Sequence, residues 1–215
     1  SSPHRTLNAN LKLKPVKFSS VDSKPKSILY HASQSMPHTS SGYAIRTHGL
    51  ISALINHNFD VQAVLRFGYP LDRKDFTKET INEQEKIENV IYHFSHTNRV
   101  NSSITPYHDV YNFTILEEYL DKATESLIVR AKKIQPKIIH SASNFVVGMA
   151  GAKAAKALGI PSIYEIRGFW HLTQSTKRQG YEGSDHYNLT ERLEIETAKA
   201  SDHVFTITNA LKNIL

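Results

Sequence analysis

The segment YEIRGFWHLTQ, residues 164–174, holds the densest group of polar and aromatic side chains at any predicted strand end. Glu165 and Arg167 lie two residues apart in a predicted strand, so their side chains are expected on one face. A guanidinium with two parallel donors, a tryptophan surface at Trp170 and an imidazole at His171 suit recognition of a sugar or a phosphate. The alternative is a structural Glu165–Arg167 salt bridge beside a packed tryptophan.

Two further predicted strand ends hold single candidates. In HSASN, residues 140–144, His140 ends a strand, either as a chemical group or as a hydrogen-bonded structural residue. In RFGYP, residues 66–70, Arg66 could pair with a phosphate or a carboxylate, or lie at the surface as an ordinary arginine.

A fourth candidate is the loop within SMPHTSSGYAIRTHGL, residues 35–50, where Ser41 and Gly42 precede a predicted helix. The free N–H groups and the dipole of a helix N-terminus favour an anion, and a glycine lets a ligand approach the backbone. Ordinary helix capping by Ser41 is the alternative. Neither a G-x-G-x-x-G fingerprint nor a P-loop occurs in the sequence.

These residues sit in a regular alternation of elements. Short apolar runs predict buried parallel strands at 27–32, 60–65, 90–94, 137–141, 162–166 and 203–207. Helical patterns fall at 43–57, 111–134, 144–159, 187–200 and 209–215. The alternation predicts an α/β fold with a Rossmann-like, doubly wound, mostly parallel sheet, in which ligands bind at the carboxyl ends of the strands.

Three details of this prediction can be checked directly. Ile45 is expected on the buried face of the first helix, and Gly159 is expected to end the third. The long polar segments 66–88 and 95–110 are expected at the surface near one edge of the sheet.

The net charge of +6 is concentrated at the start of the sequence. Residues 1–26 contain six lysines or arginines and one aspartate, so they predict a basic, flexible leader. Such a leader could hold the protein at an anionic membrane surface, or it could be a solvated tail. The expected location is the cytoplasm, either free in solution or at the inner face of the cell membrane.

Several classes of function find no support in the sequence. The chain has no cysteine, which excludes disulfides and thiolate chemistry, and no G-x-S-x-G nucleophile motif. No metal-binding spacing of histidines and carboxylates stands out, and no basic patch with interleaved aromatics points to nucleic acid.

Four stretches, in order along residues 27–215, resemble the N-terminal half of a family 4 retaining glycosyltransferase with the GT-B fold. They are SSGYAIRTHGLISAL, RFGYP, IIHSASNFVVGMAGAKAAKALGIPSIYEIRGFW and LTERLEIETAKASDHVFTITNALKNIL. The strand GIPSIYEIRGFW followed by the last stretch is the most specific combination.

The resemblance implies one of two Rossmann-like domains that face each other across a cleft. The N-terminal domain mainly holds the acceptor, and the C-terminal domain holds a nucleotide-sugar donor through an E-x7-E motif, usually without a metal or another cofactor. Residues 27–215 would then be the acceptor-side domain, with the donor domain absent, since Glu191, Glu194 and Glu196 have the wrong spacing for E-x7-E. This domain alone is expected to be inactive.

The resemblance also assigns site residues. Many members have a histidine where Arg167 stands and another at Ala142, and His171 replaces a glutamate, so the choice of catalytic residue stays open among His140, Arg167 and His171. Ser41 and Gly42 would contact the donor diphosphate. Acceptor binding would fall to Arg46, Arg66, Glu165 and Trp170.

The expected function is sugar transfer from a nucleotide-sugar donor to a glycan or lipid-linked acceptor in cell-surface polysaccharide synthesis. One rival is a non-catalytic α/β module that binds a sugar or sugar phosphate or needs a partner chain. Another is a sugar-nucleotide epimerase with the same half-fold.

Overall fold

The computed structural model describes residues 20–99 and 113–214. In this part of the chain, seven strands form one sheet in the order β3-β4-β2-β1-β5-β6-β7. Neighbouring strands run parallel except β3 and β4, which pair antiparallel. The strands are β1 (Ser27–Ala32), β2 (Asp60–Leu65), β3 (Gln84–Ile87), β4 (Val90–His93), β5 (Ile138–Ala142), β6 (Ser162–Ile166) and β7 (His203–Thr206).

Six helices lie in the same described part. They are α1 (Gly42–Asn56), α2 (Phe113–Ile134), α3 (Phe145–Leu158), α4 (Trp170–Ser175), α5 (Asp185–Ala200) and α6 (Asn209–Lys212). Ser41 caps α1 by accepting a hydrogen bond from the Ala44 amide at 3.2 Å. Gly159 ends α3 with a φ of 67°, so the predicted helix end is confirmed.

Helices cover both faces of the sheet, which explains why successive strand residues are apolar. Tyr30 belongs to a core cluster with Ile51 of α1. Its neighbour Leu29 points to the other face and packs in a cluster with Leu127 of α2 and Ala154 of α3. The predicted Rossmann-like, doubly wound α/β sheet is therefore confirmed.

Helix α3 approaches the sheet through two glycines. A Cβ atom at Gly148 would overlap the Tyr164 ring and the Thr197 methyl group, and a Cβ atom at Gly151 would overlap the Ser141 hydroxyl. Only glycine lets the helix backbone lie this close to β5, β6 and α5. This packing fixes where α3 begins relative to the end of β6.

The structure differs from the sequence-based expectation in three places. Strand β3 lies inside the segment 66–88 that was expected to be surface, because its alternating charged residues give no apolar signal. The start of that segment is buried rather than superficial, with Tyr69 and Leu71 at most 3% exposed. Ile45 is 56% exposed, so its expected place on the buried face of α1 is wrong.

Helix α4 had no counterpart in the sequence prediction, since six residues are too few for a helical period to show. Residues 100–110 of the second polar segment and residues 1–19 of the leader lie outside the described part of the chain. Residues 24–26 of the leader join the fold, because the Lys24 amide donates to the Gln135 carbonyl at 2.9 Å.

Candidate functional site

Strand register brings three polar side chains together near the carboxyl ends of β1, β5 and β6. Tyr30 is paired with His140 across β1 and β5, and Ala142 is paired with Glu165 across β5 and β6. Side chains alternate between faces along each strand, so Tyr30, His140 and Glu165 point to the same face of the sheet.

Glu165 is the centre of this cluster and is fully buried. Its Oε2 accepts a hydrogen bond from the Tyr30 hydroxyl at 2.7 Å and lies 3.2 Å from His140 Nε2. Arg167 donates from Nε to Oε1 at 3.0 Å and from Nη2 to Oε2 at 3.2 Å. The predicted sharing of one face by Glu165 and Arg167 is confirmed.

These contacts keep the Glu165 carboxyl ionised. Burial would raise the pKa of Glu165, but the hydrogen bonds from His140, Arg167 and Tyr30 and the charge of Arg167 outweigh burial. The pKa of Glu165 is therefore held far below its usual range.

Arg167 is anchored on every side of its guanidinium. Nη1 donates to Thr47 Oγ1 at 2.8 Å, Nη2 donates to the Tyr30 hydroxyl at 2.7 Å, and the guanidinium carbon lies 4.6 Å from the centre of the Tyr43 ring. Hydrogen bonding to Glu165 raises the pKa of Arg167 against the opposing effect of burial. The guanidinium is thus a fixed positive charge at the strand ends.

A second arginine adds charge at the same place. Arg46 Nε lies 3.6 Å from Glu165 Oε1, and half of the Arg46 side chain is exposed. Two arginine charges therefore lie beside the single negative charge of Glu165. The excess positive charge favours an anionic group on a bound ligand.

A cavity of about 240 Å³ opens beside Arg167. Its volume is below the roughly 300–1,000 Å³ of a complete small-molecule site. It is lined by Ser33, Tyr43, Ser143, Asn144, Arg167, Gly168, Trp170 and Thr173. The structure thus brings Arg167 and Trp170 to one opening.

The loop before α1 shows the capping arrangement. Ser41 Oγ accepts from the Ala44 amide at 3.2 Å and from Gln34 Nε2 at 2.9 Å. A Cβ atom at Gly42 would meet nothing within 4 Å, so open space borders this backbone. A ligand could approach Gly42, while the Ser41 hydroxyl is occupied by the cap.

Two predicted site residues lie elsewhere. Arg66 is buried and forms an ion pair with Asp72 after β2, outside the cavity lining. His171 is 1% exposed and packs edge-on against the Tyr187 ring, with 4.8 Å between ring centres. Burial lowers the pKa of His171 against the opposing charge of Glu191.

Trp170 lies between the cavity and the α5 side of the site. Its ring centre is 5.7 Å from that of His186 and 6.5 Å from that of Tyr181. One side of Trp170 is therefore packed against other rings, as the structural alternative expects, and another side lines the cavity.

Sequence reasoning missed three residues that hold the site, namely Tyr30, Tyr43 and Thr47. The Tyr43 hydroxyl donates to the Ala142 carbonyl at 2.8 Å, and burial raises the pKa of Tyr43 to about 12 against the opposing charge of Arg167. A tyrosine directly after Gly42 was the available signal. For Tyr30 the signal needed the strand register, and for Thr47 it needed the packing of α1 on the sheet. The sequence alone gives neither.

The described residues, 20–99 and 113–214, show neither a cluster of metal ligands nor a membrane-spanning helix. These residues contain no group of three or more histidines and carboxylates that could hold a metal ion. They also form no helix that is both long and apolar enough to cross a bilayer.

Fold and site together define a Rossmann-like domain with a buried carboxylate and two arginines at the carboxyl ends of its strands. The family model described as Glycosyltransferase Family 4 matches residues 40–215. The chain therefore belongs to Glycosyltransferase Family 4, which confirms the family predicted from the residues.

Two solved structures are similar to the chain. UDP-GlcNAc 2-epimerase from Methanocaldococcus jannaschii aligns with a TM-score of 0.49 and 15% identity, over 87% of this chain and 41% of that chain. The catalytic domain of starch synthase IV from Arabidopsis thaliana, bound to ADP and acarbose, aligns with a TM-score of 0.43 and 17% identity, over 70% and 34%. The chain thus spans less than half the length of either structure. No curated protein matches it.

Proposed function

We propose that the chain is the acceptor-side domain of a retaining glycosyltransferase. The complete enzyme would move a sugar from a nucleotide-sugar donor to a glycan or lipid-linked acceptor in cell-surface polysaccharide synthesis. Membership of Glycosyltransferase Family 4 supports the reaction class. The observation that carries the proposal is the anchored Arg167 guanidinium at the strand ends, beside a partial cavity.

The residues of the site have distinct proposed roles. Arg167 and the half-exposed Arg46 would attract the anionic part of a substrate, and the open backbone at Gly42 would let the donor diphosphate approach. Preorganised donors of this kind stabilise charge that develops on a leaving phosphate. Glu165 would hold Arg167 in place, and His140, fixed against Glu165, would border the same cluster.

The donor site belongs to a second domain, as the resemblance implies. Transfer needs both substrates in one geometry, so this chain alone is expected to turn over poorly. The nucleotide sugar is a co-substrate, and the proposal needs no other cofactor. It places the enzyme in the cytoplasm, with peripheral contact to the inner face of the membrane and no role for nucleic acid.

The test is a donor assay on the complete protein that contains this chain and a donor domain. A panel of nucleotide sugars is offered with glycan and lipid-linked acceptors, and release of the nucleoside diphosphate is measured. Gly42→Val is compared with wild type, because a Cβ atom at this position meets nothing within 4 Å in the protein. We expect unchanged thermal stability and at least about a tenfold loss in kcat/KM for the donor.

Two other outcomes would favour a different explanation. Normal donor kinetics in Gly42→Val would show that the loop is only a helix cap. Binding of a sugar phosphate without turnover of any nucleotide sugar would favour the non-catalytic module. This second candidate is retained because the N–H groups of Arg167 already donate hydrogen bonds within the protein. Such bonds also suit a purely structural role for Arg167.

A further inference from the structure

Helix α5 contains a carboxylate that the proposed chemistry does not use. Glu194 has no exposed surface, whereas Glu196 on the same helix is exposed. A buried carboxyl group is costly to the fold unless its oxygens are hydrogen-bonded. The hydrogen-bond partners of Glu194 therefore indicate its role.

Both oxygens of Glu194 have a partner on a different element. Oε1 accepts a hydrogen bond from the Phe145 amide at 3.1 Å, in the first turn of α3. Oε2 accepts a short hydrogen bond from the Tyr164 hydroxyl, on β6. One side chain of α5 thus connects the start of α3 to the middle of β6.

Both connected points adjoin the candidate site. Phe145 directly follows Ser143 and Asn144, which line the cavity. Ser143 Oγ accepts from the Arg167 amide at 3.1 Å, and the Ser143 amide donates to the Glu165 carbonyl at 2.9 Å. A shift of the first turn of α3 would therefore move Ser143 and, through it, Arg167.

The second connection reaches the site through the strand. Tyr164 directly precedes Glu165 on β6, and neighbouring strand residues point to opposite faces. Glu194 therefore holds β6 from the face opposite the one on which Glu165 anchors Arg167. Packing reinforces the contact, because Gly148 of α3 leaves no room between itself and the Tyr164 ring.

We propose that Glu194 is a positioning residue of the candidate site, which sets the first turn of α3 and strand β6 relative to each other. Ser143, Asn144 and Arg167 then take their places around the cavity as a consequence. The kinetic part of this proposal rests on the proposed function, whereas the structural part does not. The two parts are therefore tested separately.

Glu194→Gln is the main variant because its side chain has nearly the same shape. The two partners lie on different carboxyl oxygens, whereas an amide has one oxygen and one NH2 group, so one of its two positions must donate instead of accept. Tyr164→Phe removes only the hydroxyl and leaves the Phe145 contact. Glu196→Gln is the matched control, since Glu196 lies on the same helix and pairs only with Lys199 among its described contacts.

The structural test records ¹H–¹⁵N NMR spectra of the 215-residue chain and follows the amides of Phe145, Ser143 and Arg167 and the Arg167 Nε–H group. In Glu194→Gln we expect all four signals to shift well beyond their changes in Glu196→Gln. A shift confined to Phe145 would overturn the proposal, because Glu194 would then be only a local helix cap.

The kinetic test uses the complete enzyme and the nucleotide sugar that it turns over. We expect Glu194→Gln to lower kcat by about tenfold to a hundredfold, as for a misplaced catalytic group, with little change in donor KM. Tyr164→Phe should lower kcat less, and Glu196→Gln should match wild type. Unchanged kcat in Glu194→Gln would overturn a positioning role. If no nucleotide sugar is turned over, the proposed function fails and the NMR result still decides the role of Glu194.

Discussion

At the residue scale, two buried glutamates of the domain have opposite electrostatic settings. Glu165 lies among cationic and hydroxyl donors, so the pKa of Glu165 is held far below its usual range despite burial. For Glu194, burial raises the pKa to about 7, and the hydrogen bonds from Tyr164 and Phe145 oppose that rise only in part. Their contributions to stability must therefore depend on pH in opposite directions.

The raised pKa of Glu194 gives a prediction with a definite sign. Between about 4.5, its ordinary value, and about 7, the folded protein binds this proton more tightly than the unfolded chain does. The contribution of Glu194 to the free energy of unfolding is therefore fully present at low pH and falls as the pH rises through this window. Glu194→Gln cannot titrate, so its stability should lack this decrease.

Urea unfolding of both proteins at several pH values between about 4.5 and 8 measures the effect. The difference between wild type and Glu194→Gln should move in favour of the variant as the pH rises. A difference that stays constant with pH would show that Glu194 has an ordinary pKa. Glu196→Gln, which alters an exposed carboxylate, provides the baseline.

The same two residues show how far a sequence can define a site. Glu165 and Arg167 were predicted to share a face because strand periodicity is local, and they do. Glu194 looked like one of three similar helix carboxylates, and its burial depends on how α5 packs against α3 and β6. Tyr30 joined the site only through the register of β1 against β5. Contacts between distant segments have no local signal.

At the element scale, the alternation of apolar strands and amphipathic helices was enough to predict the sheet. Strand β3 was not predicted because QEKI lies at the sheet edge, where charged residues are tolerated and no apolar run is needed. The predicted end of α3 at Gly159 was confirmed because it rests on a backbone conformation that glycine favours.

The close approach of α3 to β6 predicts an asymmetric effect of two glycine substitutions. In Gly148→Ala the new methyl group would overlap the Tyr164 ring and Thr197, so we expect a loss of about 1–3 kcal/mol in the free energy of unfolding. In Gly49→Ala of α1 nothing lies within 4 Å, and we expect a gain of up to about 1 kcal/mol from helix propensity.

Thermal or urea unfolding of the two single variants compares them directly. Equal effects of the two substitutions would contradict the tight packing at Gly148. Because Tyr164 also donates to Glu194, Gly148→Ala should disturb the Arg167 NMR signals as well, whereas Gly49→Ala should not.

At the scale of the whole molecule, charge is unevenly distributed along the chain. Residues 1–19 contain four basic residues and no acidic one, while Lys24 onward is joined to the fold. Anionic lipid attracts such segments by about 1 kcal/mol per basic residue close to the surface. Deleting residues 1–19 should therefore weaken binding to vesicles that contain an anionic lipid.

Vesicle sedimentation at two salt concentrations tests this prediction. Replacing Lys12, Lys14 and Lys17 together by glutamine, at unchanged length, should weaken binding in the same direction as the deletion. Binding to neutral vesicles serves as the control. If the deletion leaves binding to anionic vesicles unchanged, the leader is a solvated tail.

In the proposed function, sugar transfer takes place where Arg167 is held at the strand ends. The most direct measurement is kcat/KM of the complete enzyme for Arg167→Lys and Arg167→Ala, with the exposed Arg178→Ala as control. Lysine keeps the charge but cannot bridge Glu165, Tyr30 and Thr47 at once, so both Arg167 variants should lose at least about tenfold. A folded Arg167→Lys variant could instead keep kcat/KM within about twofold of wild type, a difference below ~0.5 kcal/mol in the activation free energy. That result would contradict a role of Arg167 in the transfer.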